Sequence, residues 1–467
     1  MLQHTSKPGV VMKMNLPVLT VSIALILSGC ASTGDTTDKA LSERVTEEMG
    51  NTVSWLPQSD SAVRTASLDQ LLPVEAVQAL VDEAIVHNPG LQQTLITLKQ
   101  SKIRETSANA SRLPQASASL SGNNSENTDT SYSASVNVSW EIDIWNRIGD
   151  SVDAAAFTTR SNAAALQSAR ATLAASVMQS YLDIISQQKI LDIEKKKLAA
   201  LENSENIILN RYRTGLGTLA DLDTARTSSA TSRANIAEYE NNLASSKRAL
   251  AVLLGRSDMS LADVAISESF PDVVLPLAAF PEQDLARRPD LMAAYYQIKA
   301  NESSEKVAYK QLLPSLNINA ALSDSGATPA LSLFKEPVWS LLSSITAPLF
   351  QGGELRANIA LAELDTLNSW WNYQDTLLTA VQEVQATLDL ENSYQRRQQH
   401  ISQAYSNSRR SQDNYTSQYR QGLSDILDLL SVTQTTYSLE AQLVQLQRNQ
   451  LSNRIDLGLA LGLGVSS

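Results

Sequence analysis

One stretch limits what this chain can fold into more than any other: from Gly149 to Tyr212 it holds no proline and no further glycine. These 64 residues, rich in Ala, Ser, Gln, Leu, Glu and Lys, far exceed the ~11–12 residues of an average globular helix. At ~1.5 Å of rise per residue they would reach roughly 95 Å, about three times the thickness of a bilayer core. A second stretch, from Gly353 to Tyr419, is as long and as free of internal Gly and Pro.

Both stretches end on the same words, Arg211-Tyr-Arg-Thr-Gly-Leu-Gly-Thr-Leu-Ala-Asp-Leu222 and Gln418-Tyr-Arg-Gln-Gly-Leu-Ser-Asp-Ile-Leu-Asp-Leu429, at an offset of 207 residues. Asn88-Pro-Gly-Leu91 returns as Arg288-Pro-Asp-Leu291, Leu113-Pro-Gln115 as Leu313-Pro-Ser315, and Leu254-Gly255 as Leu461-Gly462. Landmarks repeated in the same order mark a tandem duplication of one unit. The two copies span residues 72–255 and 288–464.

The N-terminus has the layout of a secretory leader. Lys13 precedes the uncharged run Leu16-Pro-Val-Leu-Thr-Val-Ser-Ile-Ala-Leu-Ile-Leu27, too short to span a membrane. The run closes on Leu27-Ser-Gly-Cys30, which resembles a bacterial lipobox and implies cleavage after residue 29 with acylation of Cys30. Multiple acyl chains anchor stably at about 0.8 kcal/mol per buried CH₂. Ala31 follows, and in enteric-type sorting that residue implies the outer membrane. Residues 30–71, rich in Ser, Thr and Asp, read as an extended tether.

Period then separates the elements. Val77, Leu80, Val81, Ala84 and Ile85 share one helical face, and Pro89 opens a helix that Leu113-Pro114 ends. In Gln115–Ser121 and Tyr132–Trp140 apolar and polar residues alternate strictly, with Gly122–Thr130 read as the turn between them. Ser315–Leu322 and Val338–Thr346 form the matching pair. Strands of about 9–11 residues, apolar outside and polar inside, suit a transmembrane β-barrel. Four per chain cannot close a barrel around water, and an open edge cannot sit in lipid. The missing strands therefore come from other copies, and three chains would supply twelve.

The long helices carry coiled-coil spacing: Val177, Ile184, Leu191 and Leu198 recur every seven residues, as do Leu430, Tyr437, Val444 and Leu451. Their other faces are Ser, Asn, Gln and Ala, wettable on both sides, which describes the wall of a tube. Aromatics are only 5% of residues, too few for a large globular core.

Composition excludes several chemistries. The net charge is −12, and removing residues 1–29, which carry Lys7 and Lys13 and no acid, takes it to −14. That balance argues against nucleic acid, which needs a basic surface. Cys30 is the one cysteine and there are three histidines, so neither a thiolate metal site nor a histidine metal site is expected. No HExxH, GxSxG or Walker motif appears. The chain therefore reads as no enzyme, with no cofactor beyond a covalent lipid on Cys30.

The lipobox, the paired starts Asn88-Pro-Gly-Leu91 and Leu285-Ala-Arg-Arg-Pro-Asp-Leu291, the stretch Ala347-Pro-Leu-Phe-Gln-Gly-Gly353 and the two Tyr-Arg-x-Gly turns together resemble the outer-membrane factor family. These are the TolC-like exit ducts, here of the lipoprotein branch serving resistance-nodulation-division pumps. The resemblance implies a mainly α fold with a small transmembrane β part: a homotrimer with a twelve-stranded antiparallel β-barrel, a periplasmic α-helical barrel, and a collar using an equatorial linker at 256–287. It implies an outer-membrane duct passively conducting drugs or other small molecules, with a periplasmic adaptor and an inner-membrane pump as partners. By resemblance Tyr419 matches the family's gate tyrosine and Asp428 an aspartate of the constriction, with Tyr212 and Asp221 as first-repeat counterparts. Asp425 is a nearby carboxylate on this chain's own evidence. Ser424 and Ser431 stand where some members carry an arginine and a second aspartate. Two other readings remain: a type I secretion channel, and a non-conducting coiled-coil lipoprotein that would leave the alternating strands unexplained.

Overall fold

The fold is seen in a computed structural model whose described residues are 40–50, 67–126, 128–276, 288–330 and 334–465. The leader, Cys30 and the second part of the linker, from residue 277 to 287, lie outside them.

The duplication is visible in element lengths. Helix α3 (Pro89–Ala110), strands β1 (Gln115–Ser125) and β2 (Thr128–Ile142), α4 (Arg147–Arg213) and α5 (Leu219–Leu253) form the first copy. The second runs α6 (Pro289–Lys310), β3 (Ser315–Gly326), β4 (Val338–Thr346), α7 (Glu354–Arg420) and α8 (Ile426–Ala460). In both copies the helices hold 22, 67 and 35 residues. The two short helices of each copy stack end to end beside the long one.

Each splice is made by a side chain preceding a proline. Asn88 caps α3 by accepting the Leu91 N–H, and its amide donates to the Leu253 carbonyl at 2.9 Å. In the second copy the Arg288 guanidinium donates to the Ala460 carbonyl at 2.9 Å. Gly255, at φ +74°, lets the chain turn away: a Cβ there would sit 2.4 Å from the His87 carbonyl oxygen.

Packing sets the order of rows. The α3–α5 stack and the α6–α8 stack lie on opposite flanks of α4, and α7 packs outside α6 and α8. Of two helices equal in length, α4 buries 24 residues and α7 only 8, so α7 is an edge row. Its Leu364, Trp371 and Leu378, spaced by seven, are exposed, as are Ile96 and Ile103 on α3 at the other edge.

One face of this layer carries a collar. Helix α2 (Glu75–His87) buries the predicted Val77, Leu80, Val81 and Ala84, together with Leu68, Leu71 and Leu72, against Ala171, Ala174, Met178 and Tyr181 of α4. Burying each such side chain contributes about 1.5–3 kcal/mol. Ends of the chain meet its middle here. The Leu68 N–H donates to the Gly464 carbonyl, and the Val274 N–H to that of Leu71, both at 2.9 Å. The Tyr181 hydroxyl accepts the Ser267 N–H at 3.1 Å.

The tether expectation needs correction, because Leu41–Gly50 within it is a helix, α1. The Ser42 N–H and hydroxyl donate to the two oxygens of Glu302 at 2.8 and 2.7 Å, and Val45 is buried with Leu291, Ile298 and Tyr373. Ten residues form too short a helix to persist alone in water, so α1 owes its form to that docking.

The four strands make one antiparallel sheet in the order β1-β2-β3-β4. Register pairs like with like: Ala118 with Val136, Val136 with Leu322, Leu322 with Trp339. On the other face Ser119 and Ser135 share a hydrogen bond of 2.8 Å, as do Ser121 and Ser133. Gly122–Thr130 is not the broad turn expected. The ladder continues to Ser125 opposite Thr128, with an irregularity between Asn123 and Ser125. Polar side chains at an exposed strand end forfeit no burial, so main-chain pairing extends past the alternating run. Within β4, Leu342 pairs with Asn319 on the polar face and Ser343 with Ile318 on the apolar one, so alternation is least clean there.

At the sheet base the two copies are tied. The Trp145 indole N–H donates across to the Pro314 carbonyl at 2.7 Å, while that of Trp140 donates to the Arg112 carbonyl at 3.0 Å within the first copy. Asp143 accepts the Arg147 and Gly149 N–H groups that open α4, at 2.6 and 2.8 Å. Among the described residues no helix is long and apolar enough to cross a membrane.

Candidate functional site: helix tips and wall

Both long helices end in the same hydrogen-bonded turn. The Leu216 N–H donates to the Arg211 carbonyl and the Gly215 N–H to that of Tyr212; Leu423, Gln418, Gly422 and Tyr419 repeat the pattern. This closure needs a left-handed residue, supplied by Gly215 at φ +75° and Gly422 at φ +74°. The repeated words are therefore C-terminal caps, placing two short connections side by side at the far end from the sheet.

The predicted gate residues occupy different surroundings there. Tyr419 is 6% exposed, packed with Leu201, Ile208, Leu222, Ile426, Leu429 and Leu430 from both copies. Tyr212 is 41% exposed. The Arg211 guanidinium lies over the Tyr419 ring, 5.3 Å from its centroid, in cation–π geometry. Asp221 belongs to a capping box with Thr218, each side chain accepting the other's backbone N–H. Asp425 caps α8 by accepting the Leu427 N–H at 3.2 Å. Asp428 is exposed in the first turn of α8 and makes no ion pair among the described residues. The Ser424 hydroxyl donates to the Tyr415 carbonyl at 3.4 Å, and Ser431 is exposed. The tip thus unites Tyr419 with the first copy, while the three aspartates do not converge within one chain. Arg211 was not singled out from sequence, although it neighbours Tyr212, the repeat partner of Tyr419.

The wall has two unlike faces. On the face away from the collar, a groove of about 620 Å3 is lined by Asn88, Thr94, Ser168, Thr172, Ser176 and Thr376 among others. Leu91, Ala165, Ala169, Leu173, Leu253 and Ala293 line it too, so the surface mixes hydroxyls and an amide with small apolar groups. On the collar face, charge fastens elements together. Arg256 grips Glu83 at 2.6 and 2.8 Å and Asp263 at 2.6 and 3.0 Å. Hydrogen bonding from Arg256 holds both carboxyls below their ordinary values. Arg454 joins Glu391 at 2.9 Å to the Val273 carbonyl at 2.8 Å. Near the waist, burial pushes the Asp456 carboxyl up, opposed by a hydrogen bond from Gln179. Among the described residues no group of three or more His, Cys, Asp or Glu is arranged to hold a metal.

The chain matches the family described as outer membrane efflux protein over residues 80–256 and 280–463, one segment on each copy of the duplication. It belongs to that family. It is similar to the pyoverdine export outer membrane protein OpmQ of Pseudomonas putida, 29% identical over 74% of this chain and 73% of the relative. The cation efflux system protein CusC of Escherichia coli K12 is 25% identical over 96% of this chain and 99% of its own length. The outer-membrane channel CmeC of Campylobacter jejuni shares the fold, with a TM-score of 0.80 at 20% identity over 90% of this chain and 92% of that one. Membership makes this protein an outer-membrane channel of an efflux system.

Proposed function

We propose that three copies of this chain close into one tube, with a shared twelve-stranded barrel in the outer membrane and a helical barrel below it. The observation that carries this is the open sheet. It has one apolar face, unpaired edges at β1 and β4, and stands on a helix layer whose two edge rows expose apolar seams. Neither edge can remain open in lipid. The collar lies outside the tube, since its bulk on the inner face would fill the lumen. The face away from the collar is then the inside.

The tube conducts passively, carrying drugs or other small molecules outward, and supplies no chemistry. Energy comes from an inner-membrane pump, and a periplasmic adaptor seals the join at the helix tips. Acyl chains on Cys30 add a second hold on the outer membrane. The gate lies at the tips, where Tyr419 is held by packing and by Arg211, while Asp428 is placed to form a threefold ring of carboxylates attracting cations.

Native mass in detergent and single-channel conductance in planar bilayers test the reading together. A conducting trimer is expected. Material monodisperse as single chains and electrically silent would overturn it. Within a conducting trimer, Asp428→Ala raises conductance, and an unchanged value would remove Asp428 from the gate.

A further inference from the structure

In a chain of net charge −12, several arginines meet a carboxylate: Arg147, Arg226, Arg233, Arg288, Arg448 and Arg454 are each ion-paired. A cluster on α7 is not paired in this way. Arg396, Arg397, Arg409 and Arg410 of α7 make no ion pair among the described residues, and their contacts are with their own helix. Arg397 stacks over the Tyr394 ring at 5.9 Å, and no hydrogen bond engages its five N–H donors among the described residues. A guanidinium laid on an aromatic face with its edge unengaged is arranged for a planar anion.

Arg397 borders a groove of about 250 Å3 between α7 and α8, with His400 and Ile401 beside it and Gln442, Gln445 and Asn449 opposite. The lining offers a cation, an imidazole and three amides, and no carboxylate. The Asn449 side-chain oxygen accepts from Arg448 at 3.1 Å, which leaves its amide N–H groups as donors to the groove. Direction follows from α8 itself. Glu440 and Val444 line the space beneath collar residues Ile266, Ser267 and Glu268. Gln442 lies two residues from each, about 200° around the helix. The groove therefore opens on the face away from the collar.

The matching positions of the first copy, 207 residues earlier, are Ile190 and Ile193, both buried. The charge belongs to the second copy alone, so each chain contributes it once. We propose that Arg397, with His400 and the amides of Gln442, Gln445 and Asn449, forms a weak inner-wall site for carboxylate or phosphate groups of anionic cargo, repeated three times around the duct. The inference rests on the trimeric duct reading, which puts this face inside. A volume this small admits one charged group rather than a whole drug-sized molecule. Loose holding suits conduction, because a passing anion must also leave.

The test uses the full-length trimer in planar bilayers under a KCl gradient, with citrate as the anionic probe. Arg397→Gln should lower the chloride-to-potassium permeability ratio by about twofold or more and abolish block by citrate. Arg409→Gln removes the same charge from a residue that feels Glu440 on the collar side, and should leave both readings as in wild type. An unchanged ratio in Arg397→Gln, or an equal fall in Arg409→Gln, would overturn the site. Loss of the trimer in Arg397→Gln would do so too, by assigning Arg397 to a contact between subunits. A silent wild-type protein would instead sink the duct reading, and this site with it.

Discussion

Tyr212 and Tyr419 occupy one position of the repeated turn, yet only Tyr419 is enclosed, because α7 ends against the α4–α5 tip while α4 ends toward solvent. Packing, more than its hydroxyl, holds Tyr419: a buried aromatic lost to alanine costs about 3–5 kcal/mol, against about 0.5–1 kcal/mol for an exposed cation–π contact. Tyr419→Ala is therefore expected to loosen the tip and raise single-channel conductance, while Tyr419→Phe behaves as wild type. Equal opening by both would mean that the hydroxyl is the latch. At the collar, Glu83 titrates lower when folded because Arg256 is bonded to it. Its stabilisation is thus complete above the unfolded value of ~4.3 and disappears as pH falls through the depressed folded one. Thermal midpoints should stay level from neutral pH to about 5 and fall below it. Arg256→Gln should lower the neutral midpoint and flatten that acid decline. An equally steep decline in the variant would assign it to other carboxylates.

At the scale of elements, punctuation made most of the fold legible. Pro89, Pro289, Gly215 and Gly422 bound helices whose interiors hold coiled-coil seams, and Val338–Thr346 is a strand with the bounds its composition suggested. What stayed hidden depends on distant partners. Helix α1 lacks a sustained period, and its anchor Glu302 lies 260 residues from Ser42. The candidate gate positions were legible as repeated words, and the caps made by Asp221 and Asp425 are local to their helix starts, but the burial of Tyr419 depends on how the tips meet. Glycine comparisons probe the splices directly. Gly422 and Gly255 share φ +74°, but a Cβ on Gly422 meets nothing within 4 Å, whereas one on Gly255 comes within 2.4 Å of a backbone oxygen. Gly422→Ala should cost only the left-handed penalty of about 1–2 kcal/mol. Gly255→Ala should lower the thermal midpoint further, since the α3–α5 junction must also part. The reverse order would show that the junction yields more easily than its hydrogen bonds suggest.

For the molecule as a whole, the unequal burial of two equal helices indicates where copies join. A row buried on one side only is complete in a monomer when its other side is polar. Yet α7 presents Trp371 and Leu378, 63% and 66% exposed, on the side away from α6 and α8. The opposite flank, with Ile96 and Ile103 on α3, offers apolar residues at the same spacing of seven. Joining α7 of one copy to the α3–α5 stack of the next makes a head-to-tail contact, which closes into a ring when the rotation allows. With three copies, as proposed, the closure that buries the seams also brings the twelve strands together. Because both side chains are largely solvated in the single chain, Trp371→Glu with Leu378→Asp should leave its helical content and monomer fold nearly intact, as surface changes usually do. The same pair should abolish the trimer and with it conductance, since each charge would be buried without a partner. Circular dichroism beside native mass in detergent reads the two effects separately. A trimer that survives the double substitution would place the joint on other rows, and the barrel would then need a different route to closure.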